Sequence, residues 1–444
     1  MNNSVQSAHD VEINRLMLVS STNQIIDLID FLVEINIYED LFSNTLSGQI
    51  MISDSRGLID KLPLVGDEYL FVKIKTPSFT SVIEKTFRIY KISDRVIVRD
   101  TNTQSYVLHF ASIELFHDIS LPLYLPFSGM IQDVVEDIYL NFISTNREYE
   151  VESNGSRLKE IDRITPMAIL NEVENKVKYV SPGWTPFKNI NWLASKSIPK
   201  NETACSYLFW ESNKCFYFGS VEYLMKEGQE RSIGTYTPTV SGIYNEQGTL
   251  DHNREKFIIS DIRIMENLDQ IKNHSNGYLS SSVIDVDVHN RRYDIIAYDY
   301  TEEYQNQYHT SGDGIKSIPL FMKEGIRNPG YFQDFRVRNQ ALYNNFNDNV
   351  DQRMKDKYPN RRSSLLELSN MKLHATIPGR TDIEVGGMLT LKYPSGGVES
   401  KSDTNLDTMY SGNYLITAIR HNINRLRHTC HIEIIKDSLF NPSI

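Results

Sequence analysis

Cysteine is nearly absent. Cys205, Cys215 and Cys430 are the three thiols in 444 residues, too few for the disulfide framework of a small secreted scaffold. The chain therefore fits a reducing cytoplasm. An expected hairpin would set Cys205 and Cys215 facing each other, and they are expected to stay free there. Long hydrophobic runs are missing too. No stretch reaches the roughly 18 apolar residues of a membrane-crossing helix; the most apolar early segment, Ile25 to Ile37, is broken by Asp27, Asp30 and Glu34. The opening run MNNSVQSAHDVEINRLML has no basic segment ahead of an apolar one, so no secretory leader is expected. Basic charge is in deficit: 46 Lys and Arg against 57 Asp and Glu leave −11, which disfavours a strongly basic nucleic-acid binder.

Catalytic signatures are also lacking. There is no G-x-S-x-G, no H-E-x-x-H and no Walker-type loop. Ser311-Gly312-Asp313-Gly314-Ile315-Lys316-Ser317 sets glycines beside a lysine, but without the loop length or strand-to-helix context of a phosphate cradle. His421, His428, Cys430 and His431 cluster near the C-terminus. On one strand His428 and Cys430 share a face and His431 points away; two ligands do not close a tetrahedral zinc site, so no metal and no cofactor is expected. Asp285 and Asp287 alternate along a strand and read as a solvated face, and Arg361-Arg362 reads as surface.

What is present is a well-stocked, β-leaning chain. Hydrophobic residues are 40% and charged residues 23%, enough for packed cores, and the length suggests about three domains. Tyr 25 and Phe 19 against Trp 3, with many β-branched residues, favour sheet. Strand-like runs fall at Phe31 to Tyr38, Leu46 to Ser53, Glu68 to Lys75, Thr86 to Ile92 and Tyr106 to Ile113, punctuated by turn residues in the manner of an antiparallel barrel or sandwich. The period then becomes helical. Ser128 reads as an N-cap for Met130 to Phe142, and Thr165-Pro166 and Thr185-Pro186 each read as a capped helix start. A hairpin is expected over Cys205 to Phe218, with its turn near Ser212-Asn213. After a polar connector, strands are expected at Phe257 to Met265, at Ser281 to Tyr300 and from Lys372 onwards. Arg336 to Lys357 and Ser363 to Met371 read as helical.

The β-rich ends resemble each other. Ile35 to Leu41 parallels Ile262 to Leu268, and Gln49 to Ser53 parallels Ser282 to Val288. Val65 to Leu70 (VGDEYL) parallels Val385 to Thr390 (VGGMLT), and Phe87 to Ile92 parallels Tyr414 to Ile419. Tyr106 to Phe116 parallels Cys430 to Phe440, both closing on Leu-Phe, at Leu115-Phe116 and Leu439-Phe440. Five matches in one order predict two copies of one β-barrel, the second interrupted between its second and third strands. A homotrimer of such a chain presents two times three, or six, similar domains around one axis, and can join a sixfold ring to a threefold object.

Three stretches carry a family resemblance: Ile35 to Asp54 (INIYEDLFSNTLSGQIMISD) with Val65-Gly66-Asp67 after it, Thr185 to Ala194 (TPFKNINWLA), and Ile377 to Gly386 (IPGRTDIEVG) with Ser411 to Ile419 (SGNYLITAI). With them the chain resembles the central baseplate hub proteins of contractile-tailed bacteriophages, related to the hub portion of type VI secretion spike proteins. The resemblance spans residues from about 12 to 440 and fits 306–369 least well. It implies an α+β, mainly β fold: a first tube-type β-barrel domain over 1–125, a mixed α/β domain with connector over 126–254, and a second tube-type barrel over 255–305 and 370–444, with a polar, partly helical insertion at 306–369. It implies a non-enzymatic, structural role in the virion tail baseplate, assembled in the host cytoplasm. A homotrimer would form a pseudo-sixfold ring joining the hexameric tail tube protein to the trimeric central spike protein, beside other baseplate proteins. Phage DNA would pass through the lumen without specific binding, and the acidic balance suits a bore that lets it slide. No fused spike is expected at the C-terminal end. Tube-type domains reach neighbouring subunits through the loop after their first strand, which nominates Asp40, Leu41 and Phe42 in the first copy and Asn267 and Leu268 in the second. The alternatives are a phage-associated cell-wall glycan hydrolase, which needs two carboxylates roughly 5–10 Å apart in a cleft, and a virion host-binding adhesin.

Overall fold

A computed structural model describes residues 7–20, 24–58, 64–98, 103–144, 147–153, 156–162, 165–228, 232–238, 252–267, 269, 271, 275–287, 291–311, 333–338, 350–395 and 406–438. Leu268, Val288, Gly312 to Ser317 and Leu439-Phe440 lie outside these residues. Seven strands come first: β1 (Glu12–Val19), β2 (Ile25–Asp27), β3 (Leu32–Asp40), β4 (Ser47–Asp54), β5 (Tyr69–Lys75), β6 (Val82–Val98) and β7 (Thr103–Ser112). Their side chains alternate as a half-buried sheet requires; in β4, Gly48, Ile50, Ile52 and Asp54 point inward. The pairing order is β3-β4-β7-β6-β5-β1-β2, antiparallel throughout.

Seven strands occupy the middle of the chain: β8 (Pro126–Met130), β9 (Arg147–Ser153), β10 (Ser156–Asp162), β11 (Met167–Ile169), β12 (Lys176–Val180), β13 (Tyr207–Glu211) and β14 (Phe216–Ser220). The β13–β14 hairpin turns at the expected place, with Lys214 N–H donating to Ser212 Oγ at 3.1 Å. The helix Pro186–Lys196 starts as its sequence directs. Thr185 accepts from Lys188 N, Pro186 fills the first turn, and Phe187 N donates to Asp118 Oδ1 at 2.6 Å. Phe187, Ile190 and Leu193 of that helix pack with Phe209, Phe216 and Ile138 in one core.

The second β set comprises β15 (Ser232–Tyr236), β16 (Asp261–Asn267), β20 (Met371–Pro378), β21 (Met388–Leu391), β22 (Gly412–Ile423) and β23 (His428–Lys436), with β17 (Ser280–Asp287), β18 (Arg292–Asp299) and β19 (Gln333–Arg338) in a separate sheet. Its pairing order is β16-β20-β23-β22-β21-β15. Strand for strand, that is the order β3-β4-β7-β6-β5-β1 of the first set. The turns match as well. Gly66 at φ +88° and Gly386 at φ +85° occupy the left-handed region that only glycine enters cheaply. Ile89 N donates to Glu68 O and Ile416 N to Gly387 O, both at 2.9 Å. The sets differ at one end: β5 and β1 are antiparallel, whereas β21 and β15 are parallel.

The two sets are joined where β3, the edge strand of the first, takes the side of β22 that the shorter β21 leaves open. β3 pairs antiparallel with β22, Ile37 opposite His421 and Ile35 opposite Ile423, making one 13-stranded sheet. The cores interlock across this seam: Leu41 from the first set lies in the second core, and Ile423 from the second lies in the first. Sequence reading expected two separate barrels. Among the described residues neither set closes into a barrel by hydrogen bonding, and the edge strand of the first is used to bind β22 of the second.

Further differences have local causes. The strand after β16 in the second set is β20, not Ser282 to Val288; β17 pairs β18 and β19 instead. The interruption thus falls between the first and second strands, because alternation marks a strand but not its partner. Ser128 lies in β8 opposite Lys178, and the helix begins at Ile131 without a side-chain cap. The segment after Thr165-Pro166 is β11, drawn alongside β14 by Phe216 N donating to Pro166 O at 2.8 Å. Gln333–Arg338 is a strand, and Val350–Glu367 a helix that carries Pro359.

Candidate functional site

The loop between β3 and β4 is the first surface nominated by sequence. Asp40 starts it as an Asx-turn, its Oδ1 accepting from Phe42 N at 2.9 Å. Leu41 N donates to Thr417 O at 2.8 Å, and the Leu41 side chain is fully buried. Leu41 is therefore consumed by its own chain. Phe42 is 54% exposed. The rest of the loop is clamped to the middle of the molecule. Asn44 and Asn191 exchange amide hydrogen bonds at 3.1 and 2.8 Å, and Asn44 also donates to Phe209 O at 2.9 Å. The result is a braced platform presenting one aromatic side chain. In the second copy, Asn267 pairs with Met371 at the end of β16.

Beneath the loop sits a buried ion pair. Lys85 of β6 approaches Glu211 of β13 at 2.5 Å, with Glu211 fully buried and Lys85 nearly so. Glu211 also accepts from Leu46 N at 2.8 Å. Burial opposes the Lys85 ammonium, but the Glu211 and Glu114 carboxylates outweigh it and hold the group above its ordinary value. This pair fastens the first sheet to the middle domain at the far end of the loop, where Leu46 N donates to Glu211.

A second surface lies on the middle domain. Tyr124 is 72% and Val180 65% exposed, with Leu121 and Leu125 beside them. They form a contiguous apolar patch, because Leu125 O accepts from Ser181 N and Val180 pairs with Pro126. Gly183, at φ +83°, leaves room for the Tyr124 ring; a Cβ there would lie 2.8 Å from it. The edge strand β16 adds exposed Ile264 and Met265. Exposed apolar edges and patches of this kind are what subunit contacts cover.

Carboxylates that sequence alone could not place are already engaged. A cleft of about 450 Å3 between the middle domain and the second set is lined by Trp210, Tyr217, Asp382 and Glu384. Asp382 takes a two-armed contact from Arg380 at 2.9 and 2.6 Å. Glu384 accepts from Ser212 at 3.0 Å and Tyr217 at 2.9 Å and pairs with Lys214. Asp285 is buried, not solvated as expected. Arg361 is half-buried and donates to the carbonyls of Cys205 and Tyr207 at 2.9 Å each, tying the Val350–Glu367 helix to β13. Cys205 and Cys215 are free thiols, and burial pushes Cys205 up to about 12. The C-terminal histidines gain a member. His421 on β22 stands opposite Cys430 on β23 and joins His428, all three buried, while His431 faces away to Thr376.

No family model matches the chain, and no curated protein matches it in sequence. Solved structures do. A tail protein from Neisseria meningitidis aligns over 96% of this chain and 98% of its own, at 10% identity and TM-score 0.51. The 43 kDa tail protein of prophage MuSo2 from Shewanella oneidensis aligns over 96% and 98%, at 8% identity and TM-score 0.50. The chain has the fold of these tail proteins. An E. coli component of the type VI secretion system aligns over 98% of this chain and 80% of its own, at 8% identity and TM-score 0.41. The two tail proteins align over 96% of this chain, so their fold takes in both β sets and the middle domain rather than one module.

Proposed function

We propose that the chain is the central hub of a contractile phage-tail baseplate. The observation that carries this reading is the strand order found twice in one chain, within a tail-protein fold that spans nearly its whole length. A trimer of such chains offers three times two similar β sets around one axis. That pseudo-sixfold ring would accept the hexameric tail tube on one side and hold the trimeric central spike on the other, with a channel for DNA between. Phe42, on the loop that Asn44 braces against Asn191 and Phe209, and the Tyr124–Val180 patch are the proposed subunit contacts; aromatic anchors in rigid settings dominate such interfaces. The role is mechanical and needs no reaction.

Electron microscopy of the purified chain, alone and mixed with its tail tube protein, tests this. Ring-shaped particles that cap tube ends support the hub. Particles without a ring, together with clearing of bacterial cell-wall suspensions by the pure chain, would move the assignment to a glycan hydrolase.

A further inference from the structure

The hairpin of β22 and β23 brings three soft or borderline donors to one point inside the protein. His421 Nδ1 lies 3.1 Å from His428 Nε2 and 3.4 Å from Cys430 Sγ, and His428 Nε2 lies 3.5 Å from the same sulfur. All three side chains are buried. Zinc bonds of about 2.0–2.1 Å to nitrogen and about 2.3 Å to sulfur, in a tetrahedron, set ligand atoms about 3.3–3.6 Å apart. The three observed edges are close to that triangle.

The surroundings repeat the pattern of a metal site. Each imidazole turns one nitrogen to the cluster and the other to a supporting group. Nδ1 of His428 is 2.9 Å from Thr76 Oγ1, and Nε2 of His421 faces Glu39 Oε1 at 3.7 Å. Glu39 is 1% exposed, and neither of its carboxylate oxygens accepts a hydrogen bond. A buried carboxylate with no donor is costly; behind a metal-bound imidazole it gains one, because the metal fixes the other ring nitrogen and leaves a polarised N–H facing the acid. Arg380 N donates to Cys430 Sγ at 3.4 Å, as a backbone amide does to a thiolate. Gly379 lets the backbone press on the His428 ring, since a Cβ would lie 2.2 Å from it.

We propose that His421 Nδ1, His428 Nε2 and Cys430 Sγ bind a structural zinc ion that pins the seam between the two β sets. The ligands come from the second set. The groups behind them, Glu39 on β3 and Thr76 just after β5, come from the first. The N-terminal segment is drawn in too, since His428 N donates to His9 O at 2.8 Å. Two imidazoles and a thiolate select a borderline metal over magnesium or calcium. Binding releases the Cys430 thiol proton to solvent, with no change of oxidation state. The Arg380 carbonyl oxygen, 3.8 Å from Sγ, or a water completes the shell.

The test uses the full chain. Expressed in zinc-supplemented medium and desalted, it should carry one zinc per chain by plasma mass spectrometry. After the metal is stripped, cobalt(II) titration should give a thiolate-to-cobalt charge-transfer band that saturates at one equivalent. Cys430→Ser should abolish the band and Cys215→Ser should keep it. Glu39→Gln should weaken cobalt affinity by about 10- to 100-fold, the usual effect of losing a group behind a ligand. Should Cys430→Ser fail to fold, X-ray absorption of the zinc-loaded wild type replaces it, with one sulfur and two imidazole nitrogens expected around the metal. A folded wild-type chain holding far less than one zinc and giving no cobalt–thiolate band overturns the proposal, as does an absorption spectrum without sulfur.

Discussion

Replacing Glu211 by glutamine is a stringent test of how the molecule is fastened together. Glutamine keeps the shape and still offers its one oxygen to Leu46 N, now at 2.8 Å, so the change removes the charge and turns an amide NH2 toward Lys85. Lys85 then keeps its ammonium in a site where it is nearly inaccessible, with its 2.5 Å partner neutral. Removing one partner of a buried pair costs about 3–5 kcal/mol, whereas replacing both by apolar residues of similar size is often neutral. Glu211→Gln should therefore lose about 3–5 kcal/mol in urea unfolding, and Lys85→Met with Glu211→Leu should recover most of it. The readout is the urea midpoint and slope, by tryptophan fluorescence, because Trp210 is the neighbour of Glu211 in β13. A single variant within about 1 kcal/mol of wild type, or a double variant no better than the single, would refute the argument that the pair is held by mutual compensation.

Other outcomes are expected from the same structure. Leu41→Ala should cost about 2–5 kcal/mol in chemical unfolding because Leu41 is fully buried in the second core, while Phe42→Ser should leave the melting temperature unchanged and reduce self-association in sedimentation velocity. Gly66→Ala should cost about 1–2 kcal/mol, since residue 66 sits at φ +88°, measured by thermal shift. Gly386→Ala should cost more, because its Cβ would also press to 3.3 Å on Leu224. Stability should fall as pH rises from about 6.5 to about 9: burial opposes the His309 imidazolium, yet Asp437 at 2.8 Å overrides it and lifts the group to about 9, so its contribution is complete below 6.5 and is lost through 9. Burial, with Asp437 adding to it, also raises Glu367 to about 8, which moves stability in the same direction; His309→Asn should flatten the upper part of a profile of melting temperature against pH.

The sequence was most legible where local chemistry decides. Thr185-Pro186 is a helix start because nothing competes with its cap, and the Val65-Gly66 and Val385-Gly386 turns announce themselves by a glycine that the backbone requires. Thr165-Pro166 carries the same cap signal, but the pull of β14 on Pro166 O turns Met167–Ile169 into a strand. Partner choice is the other blind spot. Ser280–Asp287 reads as a strand as readily as β4 does, and only the fold shows that Met371–Pro378 takes the corresponding place beside β16. The pairing of β3 with β22 is invisible for the same reason, and with it the burial of Leu41 across the seam. His421 is an instructive case. On a single strand, His428 and Cys430 make an incomplete set; working out the short hairpin at Asn424 to Arg427 places His421 opposite Cys430 and supplies the third donor.

In the proposed hub the chain is a trimer with two similar β sets per copy. Absolute mass by light scattering after size exclusion, over a concentration series and with and without the candidate spike, addresses it directly. The account predicts three times 51.3 kDa, alone or once the spike is added. A monomer or dimer that persists at every concentration, spike included, would contradict it.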